Sequence, residues 1–591
     1  MKNTRPSSTF ILATLASISL SGAFAAESGQ LDFTESERAI LSPYENEAAQ
    51  LGKGTRSFKK ATSAKIPENF APWWIRGQSS TLGDSKSQSI TADDLYVRAI
   101  RHSSQIRVFG DLPLIRETGI EEAKGAFDTN TFLEAKFGRS NDPVGNTLTT
   151  GGASRFKQDE WSFEAGAKKK LITGAEVSLT QTLSRTDNNS VFFVPNPQSK
   201  GTLALSVVQP LLRGAGVGYN RSIMQIARLD SDIAMREFVR QSESHLLEIT
   251  RSYWALYAAR VTYLQKSRLV DDTGRVTDEL RARQKMDAGK SQLFRAESAL
   301  ASRRADLVRS EAAVRNAQDR LKALTNDPGL LVSQNVELIP RDRLVLSASP
   351  VDAQSAARAA LQNRPEINQA FLQLRAATIR EKMQKNELMP ELNLVLQGSL
   401  GGLSDGDYGR AYSRQYDTGG PGYGAGIVFS FPLENHAARA RLERRRLELR
   451  QQLDQLKTTI DSVLLEVKIS AREVGTAYRE TQAKYSAVRA FTEDIEAIVA
   501  RRSIQAVGDE VLMASYLDTL LDSQDRRADA EEEFIRSAAN YQIAIVNLER
   551  AKGSLLTYSD VSIVRDRDEK RLPVLRLEKG ARDGKSTREE K

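Results

Sequence analysis

The chain has 591 residues, 40% of them hydrophobic and 27% charged, the balance of a folding sequence and not of a disordered one. It contains no cysteine, which excludes disulfides, cysteine metal sites and an N-terminal lipid anchor. The formal charge of +8 is modest for this length, and much of the basic excess sits in the first residues and a charged tail, so nucleic acid is not indicated.

Lys2 and Arg5 precede an apolar run over residues 10–20, and Ala23-Phe24-Ala25 supplies small residues at the cleavage offsets. This pattern predicts a secretory signal peptide cut after Ala25, with an apolar core too short to span a membrane as a helix. No later stretch approaches about 18 consecutive apolar residues, so helical membrane spans are excluded. Residues 26–90 are rich in Ser, Gly, Lys and Glu without a sustained period, which predicts a mobile leader. Within it, Pro72-Trp73-Trp74 reads as a local anchor packing on the body.

Thr91-Ala92-Asp93-Asp94 reads as a capped helix start, and the helix continues to about Gly125 with interruption at Gly110 and Pro113. The period then changes to two over four segments, 127–138, 161–169, 175–185 and 202–209. Leu133, Ala135 and Phe137 share one face while Glu134 and Lys136 share the other. A short turn, Leu171-Ile172-Thr173-Gly174, separates the second and third segments, whereas the other connections are long and polar. Transmembrane barrels show that asymmetry, and a soluble sandwich could alternate in the same way.

Residues 217–287 return to helix, with a seam at Leu246, Ile249, Tyr253 and Leu256, and Gly289 interrupts. The next helix carries heptads at Leu293, Leu300, Leu307, Val314 and Leu321, with Ala296, Ala317 and Leu324 in the companion row. Pro328-Gly329 ends it. The order then repeats: helix over 351–388, a strand with alternating Leu392, Leu394, Leu396 and Leu400, a Gly- and Tyr-rich loop over 401–424, and a strand with Ile427, Phe429 and Phe431. A helix over 435–508 follows, with heptad residues Leu449, Leu453, Leu456, Ile460, Val463, Val467, Ser470 and Val474. At 1.5 Å per residue it is a rod on the order of 100 Å long. Gly508 breaks it as Gly289 breaks the first, and a last helix ends near Leu556. An internal duplication accounts for this order.

Each long helix starts directly from a strand through Pro210 or Pro432, and the segment around Gly214 is a flexible strand-to-helix joint. Gly214, Gly216 and Gly218 do not form a dinucleotide loop, because a helix of this length is not part of a short βαβ unit. Gly289-Lys290-Ser291 is not a phosphate-binding loop either, since position 284 is Gln where the first glycine is required. His102, His245 and His436 are scattered without metal-ligand spacing. A few strands cannot close a barrel alone, and open edges are not tolerated in lipid, so several copies must share one barrel.

The chain resembles the TolC-like outer-membrane efflux protein family over residues 91–556. The resemblance rests on the duplicated order, on Gln209-Pro210-Leu211-Leu212-Arg213-Gly214-Ala215-Gly216, on Asn363-Arg364-Pro365-Glu366-Ile367 and on Met389-Pro390-Glu391-Leu392. It implies a mainly α fold with a β-barrel part: a homotrimer whose transmembrane β-barrel is continued by a periplasmic α-helical coiled-coil barrel. The division it implies is signal peptide 1–25, leader 26–90, first repeat 91–325, equatorial connector 326–350, second repeat 351–556 and a charged disordered tail 557–591. It further implies outer-membrane lipid around the barrel, a periplasmic adaptor (membrane fusion protein) and, through it, an inner-membrane transporter of the RND, ABC or MFS type. No cofactor, metal or enzymatic activity is implied.

The adaptor-facing tips map to Ala288, Gly289, Lys290 and Ser291, and to Val507, Gly508, Asp509 and Glu510. Where members with an acidic gate carry aspartates, this chain has Ala514 and Leu517, leaving Asp518 and Asp522 as neighbouring candidates for the gate or tunnel wall. The sequence leaves open four or six strands per protomer, and the reading favoured here makes the segments at 161–185 extensions of the ordinary strands and loops. The expected function is a passive exit channel of a tripartite efflux pump or a type I secretion system. The alternative is a secreted coiled-coil scaffold without a pore.

Overall fold

In the computed structural model, the described residues are 33–50, 66–67, 70, 72–74, 86–283, 290–331, 336–418, 420–505, 510–559, 561–564 and 574–577. The segment read as a signal peptide and most of the residues expected at the two tips lie outside them. The first half runs β1 (Lys86–Ile90), α2 (Ala92–His102), α3 (Ser104–Gly125), β2 (Thr129–Pro143), β3 (Arg155–Lys170), β4 (Glu176–Asn188), β5 (Gln198–Pro210), α4 (Val217–Arg283) and α5 (Lys290–Thr325), preceded by α1 (Glu35–Gln50). After α6 (Pro328–Leu331), the second half runs β6 (Val336–Pro340), α7 (Ala353–Asn363), α8 (Pro365–Glu387), β7 (Glu391–Ser404), α9 (Tyr408–Asp417), β8 (Gly422–Ser430), α10 (His436–Gln505) and α11 (Glu510–Ala551). A short α12 (Leu555–Tyr558) and the strands β9 (Val561–Val564) and β10 (Val574–Leu577) close the chain.

The duplication extends to the way each half begins. β1 and β6, which open the two halves, lie side by side as a parallel pair. Thr91 caps α2 reciprocally: its hydroxyl accepts from the Asp94 amide at 3.1 Å, and the Asp94 carboxylate accepts from the Thr91 amide at 3.2 Å. The first helix of each half breaks after about three turns, at Ser103 and at Arg364. The break falls at Ser103 and not at Gly110 or Pro113, both of which lie inside α3. In the second half Pro365 stands at the first helical turn, where its missing donor costs nothing.

α10 has 70 residues and α4 has 67, rods on the order of 100 Å. Along α10 the buried residues follow the heptad row through Leu456, Ile460, Val463, Val467, Ser470 and Val474. α10 packs antiparallel on α11, and α4 on α5, so each half contributes one coiled hairpin. The main core gathers where both hairpins meet the shorter helices, around Tyr96, Phe238, Ile249, Tyr253, Trp254 and Phe534. Inside it Arg260 of α4 and Glu337 of β6 form an ion pair that is almost fully buried. His245 packs there too, with its Nε2 3.1 Å from the Ser103 hydroxyl.

Three expectations change. The leader 26–90 is not structureless throughout, because α1 docks on the second half. Glu37 takes both forks of Arg375 at 2.6 Å, Lys468 reaches Glu47 at 3.0 Å, and Phe33 packs on Phe371 at 4.9 Å. Further on, Trp74 is buried in the main core and Arg268 lies 4.8 Å over the ring of Trp73, so this pair is the anchor its composition suggested. Within the tail 557–591, β9 and β10 pair as an antiparallel hairpin. The segments at 161–185 are not extensions of neighbouring strands but two complete strands, β3 and β4, giving a six-stranded antiparallel sheet in the order β2-β3-β4-β5-β7-β8. The turn at 171–175 closes tightly, with the Leu171 amide on the Ala175 carbonyl at 2.7 Å, which fixes a hairpin and not a bulged extension.

Candidate functional site

The register of the sheet assigns every side chain to one of two faces. One face carries Leu133, Phe163, Leu179, Leu205, Leu396 and Ile427, one from each strand in order. The other carries Glu134, Glu164, Thr182, Thr202, Gln397 and Gly424. Toward both edges of the sheet the apolar face is bare: Leu133 is 80% exposed and Ile427 is 70% exposed. Covering a side chain of this kind is worth about 1.5–3 kcal/mol, so a sheet with this many of them needs an apolar surrounding. Opposite it, the polar face suits water. No described helix is long and apolar enough to cross a membrane.

β2 and β8 are the free edges of this sheet. With six strands all antiparallel, the two edges run in opposite directions. A second copy can therefore add its β2 to β8 of the first without breaking the alternation.

The sheet is bolted to the helices by polar joints. Beyond the end of β5 at Pro210, the Leu211 amide still donates to the Leu392 carbonyl at 2.8 Å, and Arg213 to Pro390 at 3.2 Å. Gly214 and Gly216 take φ of 78° and 94°, values open to glycine and strained for other residues. Their carbonyls both accept from the Asn220 amide at 3.0 Å, while the Gly214 amide donates to Asn386 at 2.7 Å and the Gly216 amide to Thr173 at 3.1 Å. One knot thus joins the β3–β4 turn, the start of α4 and the α8–β7 link. Pro432 lies past the end of β8, where Asn435 donates to the Leu388 carbonyl at 3.2 Å.

At the far end of the hairpins, Lys290 opens α5 and Glu510 opens α11, while Ala288, Gly289, Val507, Gly508 and Asp509 lie outside the described residues. Ser291 is exposed on the first turn of α5. Asp518 is half exposed and pairs with Arg295 of α5 at 2.5 Å, so it bridges the two hairpins. Asp522 instead pairs with Arg526 on its own helix at 2.9 Å. Leu517, at one of the positions compared with an acidic gate, is buried with Leu280, Leu293, Ala296 and Leu521.

The strongest cross-link between the hairpins was not singled out from the sequence. Arg303 of α5 has a side chain only 5% exposed. It donates to Thr273 of α4, to Gln524 at 3.1 Å and to the Leu521 carbonyl at 2.9 Å, and it forms an ion pair with Asp525 at 2.9 Å, the last three on α11. Arg527 of α11 returns the link, 3.5 Å from Asp272 of α4. A signal was present: Arg303 and Ser310 fall in the companion heptad row with Ala296 and Ala317, where an apolar residue is the rule.

Higher up, Arg364 is 4% exposed and binds Glu366 at 2.9 Å, the Arg550 carbonyl at 2.9 Å and Glu466, which also takes Arg550. Beside this cluster, burial pushes the Glu243 carboxyl up to about 8; Arg364 opposes that shift and Glu366 adds to it. Among the described residues there is no group of His, Cys, Asp or Glu that could hold a metal ion.

A two-faced sheet running straight into paired helical rods is the fold of the TolC-like outer-membrane efflux channels. Solved structures with a similar fold include the Campylobacter jejuni CmeC outer membrane channel, 13% identical with a TM-score of 0.56 over 85% of this chain and 91% of that one. The open state of the Neisseria gonorrhoeae MtrE outer membrane channel gives 16% and 0.55, over 84% and 98%. A membrane protein from Pseudomonas aeruginosa gives 16% and 0.58, over 85% and 96%. No family profile and no curated protein sequence matches the chain.

Proposed function

We propose that the protein is the outer-membrane exit channel of a tripartite efflux pump or type I secretion system. It works as a homotrimer that conducts substrates passively from a periplasmic adaptor and its inner-membrane transporter to the outside. The observation that carries this reading is the six-stranded sheet with one apolar face, one polar face and two complementary open edges. Three copies close it into an 18-stranded barrel with lipid outside and water inside. With strands about 4.8 Å apart and tilted about 40°, such a barrel is about 36 Å across its backbone, against about 24 Å for 12 strands.

The helical hairpins continue the barrel as a tunnel wall, and their tips, from Ala288 to Ser291 and from Val507 to Glu510, meet the adaptor. Contacts there dilate the closed end by loosening the links between hairpins at Arg295–Asp518 and Arg303. A secreted scaffold without a pore would need the heptads but not the two-faced sheet.

Purified protein in detergent should have the mass of three protomers and, added to a planar bilayer, should give discrete conductance steps. A monomer, or a trimer without steps under any voltage, overturns the reading.

A further inference from the structure

Helix α9 stands apart from the rest of the sheet's surroundings. It lies between β7 and β8, at the strand ends opposite the long helices, in a segment read from sequence as loop. Asp407 caps it, accepting from the Gly409 and Arg410 amides at 2.8 and 3.2 Å. The ten residues do not project beyond the sheet. They fold back over it.

The register identifies the face they cover. Ala135, Phe163, Leu183, Gly201 and Gly402 form one continuous row across five strands, all on the apolar face. Gly201 and Gly402 are directly paired, and a Cβ on either would meet the Ala411 carbonyl. The two glycines therefore form a floor on which the α9 backbone rests. Gln415, fully buried, exchanges amide hydrogen bonds with Gln181 of the same face at 3.2 and 3.1 Å. Tyr408 meets Phe163 edge-on at 6.0 Å, and Arg414 donates to the Leu403 carbonyl at 2.9 Å.

One flank of its exposed surface is aromatic. Tyr412 and Tyr416, one turn apart with rings 5.4 Å from each other, are 45% and 51% exposed. One tier further toward the same strand ends, Trp161 packs against Phe137 with the rings tilted and 4.6 Å apart, again on the apolar face. Tyrosine and tryptophan collect where acyl chains give way to headgroups, because each has an apolar body and a polar tip. Helices with one polar and one aromatic side lie in that plane.

We infer that α9 is an interfacial helix on the outside of the barrel, clamped to its lipid face, with Tyr412 and Tyr416 seated in the headgroup zone of the outer leaflet. The occupant of its exposed side is lipid. This rests on the channel reading, which makes the apolar face the outer one. The helix widens the barrel's footprint in the outer leaflet and leaves the lumen clear, the opposite of a loop folded inward as a plug.

The chain has no cysteine, so single-cysteine variants of the full-length trimer accept one environment-sensitive fluorophore each. Tyr412→Cys and Tyr416→Cys probe α9, Leu205→Cys the apolar face at mid-height, and Gln397→Cys the polar face. Each labelled trimer is placed in phosphatidylcholine vesicles and quenched by lipids spin-labelled near the headgroup, by lipids labelled near the acyl terminus, or by aqueous iodide. At positions 412 and 416 the shallow label should quench at least about twofold more than the deep one. Leu205→Cys should respond chiefly to the deep label and Gln397→Cys to iodide. Iodide-only quenching at 412 and 416, with Leu205→Cys still quenched by lipid, overturns the placement of α9 and leaves the channel reading standing. Loss of lipid quenching at Leu205→Cys as well overturns both.

Discussion

Arg303 offers the sharpest test of the proposal that the helical hairpins hold a channel shut. Replacing it by methionine keeps most of the side-chain volume and removes every donor. The side chains of Thr273 and Gln524 and the Leu521 carbonyl then lose a charged partner in a dry site, and Asp525 loses its ion pair. Hydrogen bonds to a charged group contribute about 1.5–3 kcal/mol each, but they are not additive. Asp525 is 55% exposed and regains water, so its share is discounted. A loss of about 3 kcal/mol per protomer is the expectation.

If the hairpins part here on opening, that loss falls mostly on the closed state. Even about 1 kcal/mol per protomer, summed over three, shifts the closed-to-open ratio about a hundredfold. Single-channel recording of the Arg303→Met trimer should show a raised open probability, with Arg303→Lys in between. A lower melting temperature with unchanged open probability would mean that Arg303 staples the fold without gating it, and would refute the reasoning.

Glu243 sets a pH dependence. Its pKa of about 8 in the fold exceeds the ordinary 4.5, so the folded protein carries more protons than the unfolded chain between those values, and stability falls as pH rises through that window. Glu243→Gln should flatten this part of the melting-temperature profile, and a profile that keeps the wild-type slope would show that other groups are responsible. At the joint, Gly214 has φ of 78° with open space around it, so Gly214→Ala should cost about 1–2 kcal/mol per protomer through the backbone alone. Gly218, inside α4 and also unobstructed, should accept alanine without loss in the same thermal melt, and equal destabilisation by both would contradict the backbone argument.

The rods were legible because a heptad row is a long signal: the residues from Leu456 to Val474 lie where the steps of four and three put them. The faces of the sheet were legible for a similar reason, since Leu133, Ala135 and Phe137 alternate against Glu134 and Lys136. Strand number was not. Alternation over 161–185 fits two strands or a lengthened pair equally well, and only pairing across the whole register separates them.

α9 was hidden because Gly409, Ser413 and Asp417 give it little intrinsic helicity, and it is held by its cap and a glycine floor on strands distant in sequence. α1 was hidden likewise, since Glu37 and Arg375 meet across the two ends of a long chain segment. Of the site residues, Asp518 proved to have a partner on the other hairpin, whereas Arg303 was passed over as one charge among many.

Six strands per protomer meet only four helix attachments, because the β3–β4 turn leans on the knot at Gly214 and Asn220 and leads into no helix of its own. For a trimer, that means a short collar of 18 strands set on a longer pipe of 12 helices. Resistance to flow adds along a path and falls with cross-section, so a collar about 30 Å tall contributes little beside rods on the order of 100 Å. Extra strands therefore raise clearance far more than throughput. In the proposed channel, a bulky cargo that had passed the helices would meet no tighter ring before it left.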